Sequence, residues 1–109
     1  MLQKQYRLPA ATRLKNPKSF NTPAFFLKVS PNDLEISRFG FVIRKAVDKR
    51  ATARNRIRRL VRSCIEEMLD EILPGQDFLF MLKASVLEMK RQDLYNEVHT
   101  LFREKQLLK

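Results

Sequence analysis

Apolar residues recur along this chain with two different periods, and the change of period marks out its elements. From Phe25 to Ser30 they alternate, with Phe25, Leu27 and Val29 on one face and Phe26, Lys28 and Ser30 on the other, the period of a strand. Pro31-Asn32-Asp33 is a turn signal. Ile36 to Arg44 then alternates again, placing Phe39, Phe41 and Ile43 opposite Arg38, Gly40, Val42 and Arg44. The two runs are expected to pair as a hairpin with a longer loop. Past Arg50 the period lengthens. Ile57, Leu60, Val61, Cys64, Ile65, Met68, Leu69 and Ile72 recur at helical spacing and predict one buried stripe, with Thr52 as the expected N-cap.

Pro74-Gly75 breaks that pattern, and Asp77 to Lys83 (DFLFMLK) follows as a short apolar run compatible with a strand buried on both faces. Ala84 to Gln92 is a connection with room for one helical turn. Asp93 is then expected to cap a final helix whose stripe is Leu94, Val98, Leu101 and Phe102, with the stem of Lys105 beside it. Before the first strand, Lys18 to Asn21 fits a single helical turn that Pro23 ends. Helix-turn, strand, strand, helix, strand, helix is an α+β order, predicting a small mixed sheet packed with helices.

Charge adds a direction to this picture. The chain carries 22 basic and 12 acidic residues, a net +10. Between Arg44 and Arg62 lie Arg44, Lys45, Lys49, Arg50, Arg54, Arg56, Arg58, Arg59 and Arg62 against Asp48 alone, so most of the excess sits in one segment. Such a concentration suits docking on a polyanion. At about 100° per residue, Asn55, Arg58, Arg59 and Arg62 fall beside and behind the apolar stripe, and Arg56 lies on the other flank. Bases in the first half of the helix and Glu66, Glu67, Asp70 and Glu71 in the second oppose the macrodipole. That order points to a ligand for the arginines. Guanidinium groups bind phosphate through paired N–H bonds and stack on bases, and Asn55 offers a donor and an acceptor. A folded RNA or DNA backbone is the partner this implies.

The run RFGFVIRKAVDKRATARNRIRRLVRSCIEE resembles the signature of the bacterial ribonuclease P protein component. Arg54-Asn55-Arg56 matches that family's Arg-Asn-Arg triplet, and Arg58, Arg59 and Arg62 match the basic positions after it. The later strand and helix, and the basic leader QYRLPAATRLKNPKSF, are similar too. Two features depart from the family. Its first helix is fuller than Ser19-Phe20-Asn21-Thr22-Pro23 allows, and its Lys-Lys-x-Gly turn reads Lys45-Ala46-Val47-Asp48 here. The resemblance implies a ribosomal-protein-S5-domain-2-like sandwich with a left-handed βαβ crossover. It also implies an RNA subunit that holds Mg2+ and removes the 5′ leader of precursor tRNA. The protein would bind that RNA through Arg44, Lys45, Lys49, Arg50, Arg54, Asn55, Arg56, Arg58, Arg59 and Arg62, and the leader through Phe20, Phe26, Lys28 and Arg38.

Taken by themselves, the residues leave two other readings open. One is a stand-alone basic RNA-binding module such as a ribosomal or assembly protein; the other is a DNA-binding regulator. A length of 109 residues with 44% hydrophobic content fits one domain over residues 1–109, with residues 1–18 as an extended basic arm. No run reaches the roughly 20 apolar residues of a membrane span, and MLQKQYRLPA lacks the apolar core of a secretory signal, so the cytoplasm is expected. Cys64 reads as a buried small hydrophobe and His99 as a packed or surface residue. There is no zinc-ligand set, Walker loop or nucleophile triad, and the clustered carboxylates lie away from the arginines. No metal is therefore expected on the protein itself, and no protein partner is indicated.

Overall fold

The computed structural model describes residues 2–9 and 12–109; Met1, Ala10 and Ala11, part of the expected arm, lie outside the described residues. Strands β1 (Lys18–Asn21), β2 (Phe25–Pro31), β3 (Arg38–Ile43) and β4 (Gln76–Leu82) are accompanied by helix α1 (Ala51–Met68), between β3 and β4, and helix α2 (Arg91–Glu104), after β4, with short 3-10 turns at Lys4–Tyr6, Leu69–Glu71 and Ala84–Glu88. The sheet is mixed, in the order β1-β2-β4-β3. Its β1–β2 and β2–β4 pairs are antiparallel, and β3–β4 is parallel across the α1 crossover. The α+β architecture expected from the two periods is therefore present.

Two expected features give way to non-local pairing. First, β2 and β3 do not form a hairpin: β4 lies between them, pairing Leu27 with Phe80 on one side and Phe41 with Phe80 on the other. A central strand completes two ladders at once and buries its aromatic residues between both neighbours. Second, Lys18–Asn21 is an edge strand and not a helical turn. The Thr22-Pro23 turn makes this possible, because Thr22 Oγ1 accepts bonds from the N–H groups of Ala24 (3.2 Å) and Phe25 (3.0 Å) and folds β1 back on β2.

One face of the sheet carries Phe25, Leu27, Val29, Phe39, Ile43, Phe78, Phe80 and Leu82, all buried, beneath the stripes of α1 and α2. The Phe80 ring lies 5.2 Å from Phe25, 5.4 Å from Phe41 and 6.1 Å from Phe102. The expected stripes hold, with Ile57, Val61, Cys64, Ile65 and Met68 buried on α1 and Leu94, Val98, Leu101 and Phe102 on α2. The α1 stripe continues through the 3-10 turn after Met68 to buried Ile72. β4 is not buried on both faces: Phe78, Phe80 and Leu82 are, but Leu79 and Met81 stay half-exposed on the other side.

Neither helix uses its expected cap. α1 begins at Ala51 with Arg50 at the N-cap and no side-chain bond there. Thr52 already lies inside the helix, and Asp48 orders the approach by accepting the Arg50 N–H at 2.9 Å. α2 begins two residues before Asp93, which lies in the first turn and there favours the helix dipole.

Candidate nucleic-acid interface

α1 is held by its apolar stripe, and the arginines occupy what the stripe leaves. Arg56, Arg59 and Asn55 are exposed, while Arg54, Arg58 and Arg62 are half-buried. Each of the half-buried three has a local anchor. Arg54 donates to the carbonyls of Asp48 and Lys49, both at 2.9 Å. Arg58 donates to Asn55 Oδ1 at 2.7 Å, and the Arg62 guanidinium carbon stands 5.9 Å from the centroid of Phe41. These contacts fix side-chain direction without neutralising charge. Stacking on an aromatic face orients a guanidinium while leaving its N–H edge open.

Upstream, the strip continues through the β3–α1 loop, a turn closed by the Val47 N–H on the Arg44 carbonyl at 3.0 Å. Arg44, Lys45, Lys49 and Arg50 are all exposed there. Arg50 alone of these is neutralised, by Asp48 at 2.9 Å. The Arg50 guanidinium in turn holds the Asp48 carboxyl down to about 2. For Arg44, Lys45, Lys49, Arg56 and Arg59 the described residues supply no side-chain partner. The ten expected positions thus lie between the end of β3 and the third turn of α1, with Arg56 and Arg59 toward Leu87 and Met89 and Arg62 toward Phe41.

The four positions expected to meet a leader strand divide differently. On the sheet face away from the helices, Phe26 lies opposite Met81 and Met81 opposite Val42, while Lys28 lies opposite Leu79 and Leu79 opposite Gly40. Phe26 and Lys28 therefore share an open, mostly apolar floor with β4 residues that the alternation of β2 and β3 alone did not include. Phe20 is not on that floor. It pairs with buried Leu27 and packs on the opposite, core side. Arg38 shares the outer face but is committed to the buried Asp77 carboxylate through two bonds, 2.9 and 2.8 Å long; that bond raises its pKa further. Asn32 also donates to Asp77, at 2.9 Å.

At the β3 edge this floor runs into a groove of about 330 Å³, lined by Arg7, Leu8, Gly40, Val42, Leu79 and Arg62 among others. The Leu8 N–H pairs with the Phe39 carbonyl at 2.9 Å, so the N-terminal segment walls the groove. That segment is packed against the sheet, and Leu2 is buried. Gly40 allows the close approach beneath it: a Cβ there would stand 3.2 Å from Leu8 and Leu79 side-chain atoms, which would have to give by a few tenths of an ångström. The groove joins the arginine face of α1 to the open sheet face.

The model of the family described as Ribonuclease P matches residues 4–106 of this chain. The chain belongs to the ribonuclease P family. Among curated relatives, the ribonuclease P protein component of Pseudoalteromonas translucida is 33% identical over 91 residues, covering 81% of this chain and 62% of that protein. The Synechococcus component is 38% identical over 72 residues, covering 66% of this chain and 54% of its own length. The chain thus spans little more than half the length of these relatives. A Staphylococcus aureus RNase P protein mutant superposes with a TM-score of 0.81 at 17% identity, covering 97% of this chain and 92% of that one. The Thermotoga maritima RNase P protein gives 0.75 at 22%, covering 82% and 84%. Both likenesses are of fold. No helix among the described residues is long and apolar enough to cross a membrane.

Proposed function

We propose that this chain is the RNA-binding subunit of ribonuclease P. It would dock on a catalytic RNA through the β3–α1 strip and steer the 5′ leader of precursor tRNA across the sheet face of Phe26 and Lys28. One observation carries the reading: a run of guanidinium groups along α1, with Arg56 and Arg59 exposed, adjoins through the Arg62 groove an open face of apolar and basic side chains. Charge along a rod suits a phosphate backbone, and an apolar floor beside bases suits unpaired nucleotides.

In this proposal the phosphodiester chemistry, and the magnesium ions that serve it, belong to the RNA. The described residues offer no group of three His, Cys, Asp or Glu side chains able to hold a metal ion. Asp48 beside the basic strip and Asp77 beside the sheet face are each bound to an arginine. What the chain contributes is position: its cations hold two RNA segments in fixed relation and lower their mutual repulsion. The place of work is the cytoplasm.

Reconstitution tests this directly. At low magnesium, addition of the protein to a bacterial ribonuclease P RNA is expected to stimulate cleavage of precursor tRNA at the leader junction. Binding to that RNA without stimulation would instead identify a stand-alone RNA-binding module.

A further inference from the structure

A second basic groove lies at the opposite edge of the sheet. β1 has β2 on one side and, among the described residues, no strand neighbour on the other. The end of α2 approaches that edge and leaves a groove of about 760 Å³. Lys15, Lys18 and Lys105 line it with a single acid, Asp33, and Phe20 contributes an aromatic wall. The Lys105 Nζ stands 5.7 Å from the centroid of the Phe20 ring. Neither Lys15 nor Lys18 has a side-chain partner among the described residues.

The groove is firmly built. The Leu107 N–H bonds to the Phe102 carbonyl at 2.8 Å and the Gln106 N–H to Arg103 at 3.3 Å. With Gln106 at a φ of 60°, this is the left-handed helix termination that fixes the direction of the departing chain, and with it the position of Lys105. On the other wall, Ser30 Oγ donates to the Lys15 carbonyl at 2.6 Å. That bond ties down the Lys15 backbone while its ammonium stays free.

We propose that this groove binds a second segment of single-stranded RNA, with phosphates at Lys15, Lys18 and Lys105 and a base against Phe20. Three ammonium groups against one carboxylate select a polyanion. Lysine, a compact charge without the guanidinium fork, suits backbone contact without sequence preference. The site is separate from the arginine strip: α1 meets the sheet at β3 through Arg62 and Phe41, and β1 lies three strand spacings away, about 14 Å. The identity of the polyanion as RNA rests on the proposed function; the existence of the groove does not.

The test uses the full chain and a 4-thiouridine-labelled oligouridylate of about 12 nucleotides. The double variant Lys18→Gln/Lys105→Gln is expected to lower the slope of log affinity against log salt by about 1.4, some 0.7 for each phosphate that is no longer neutralised. Its circular dichroism and Tm should stay unchanged. Photocrosslinks are expected on the peptide containing Phe20, and Phe20→Leu should diminish them. An unaltered slope, or crosslinks confined to α1 and the β4 face, would overturn the proposal. Parallel measurement of Arg56→Ala/Arg59→Ala on a ribonuclease P RNA separates the two readings. Retained docking there defeats the proposed function and leaves the groove to be judged by the oligouridylate alone.

Discussion

Arg38 illustrates how a side chain's partner decides what it is free to do. By residue type it belongs with the leader-facing cations, yet its guanidinium forks onto Asp77, whose side chain is only 5% exposed. Removing the arginine leaves the buried Asp77 carboxylate with only the Asn32 amide as a side-chain donor, which costs more than the pair contributes. Arg38→Ala should therefore destabilise the fold by about 1–3 kcal/mol, read from urea unfolding; no measurable loss would mean that water and Asn32 satisfy Asp77 by themselves. Arg59 is the contrasting case, exposed and without a partner in the described structure. Arg59→Ala is expected to weaken RNA affinity by about 1–3 kcal/mol with no measurable change in stability. Equal losses of stability and affinity would place Arg59 in the fold's own support. Cys64 is buried and its thiol is pushed up by that burial. It should resist alkylation at pH 8 in the native state and react fully in denaturant, with mass spectrometry as the readout.

At the scale of elements, the approach to α1 joins backbone order to charge. Asp48 accepts the Arg50 N–H and also pairs with its guanidinium, which lowers its pKa to about 2. An unfolded aspartate titrates near 3.9. Because the folded value is the lower one, the clasp contributes fully above about pH 4 and is lost as the pH falls through 2. Carboxyl NMR titration of Asp48 should give a midpoint near 2; an ordinary midpoint near 4 would show that the clasp does not persist in solution. The helical stripes were legible because their apolar residues repeat, over about four turns from Ile57 to Ile72 and about two from Leu94 to Phe102, and the arginine strip because it is local in sequence. The β1 strand was not legible. Lys18-Ser19-Phe20-Asn21 has one apolar residue, and its pairing along β2 from Val29 to Phe26 gives it extended form. The expected caps failed for a related reason: Thr52 and Asp93 are good capping types, but helix starts were set by buried Ala53 and Leu94 packing, and caps are worth only about 1 kcal/mol.

For the molecule as a whole, the arrangement that local pattern could not supply is the insertion of β4 between β2 and β3. Those strands are separated by one turn in sequence, and a hairpin between them would close the shorter loop. Loop entropy favours it, but only weakly, since each doubling of length costs about 0.6 kcal/mol. Against that stands the burial of Phe78 and Phe80 at the centre of the core, where Phe80 meets Phe25, Phe41 and Phe102 and Phe78 stacks on Phe39 at 5.1 Å. A single buried phenylalanine is worth several times the entropic difference, so the non-local order wins. The same strand carries Leu79 and Met81 on the opposite face, joining Phe26 and Lys28 to the Arg62 groove. Core and candidate RNA surface thus depend on one element seen from two sides. Phe80→Ala should then cost about 3–5 kcal/mol while leaving the affinity of the folded fraction for RNA unchanged, because the Phe80 side chain is fully buried on the core face. Met81→Ala should do the reverse, with little loss of stability and weaker binding of a single-stranded leader. Urea unfolding and leader-dependent binding of precursor tRNA, measured on both variants, separate the two sides; a binding defect in Phe80→Ala at full folding would show that the faces are mechanically coupled.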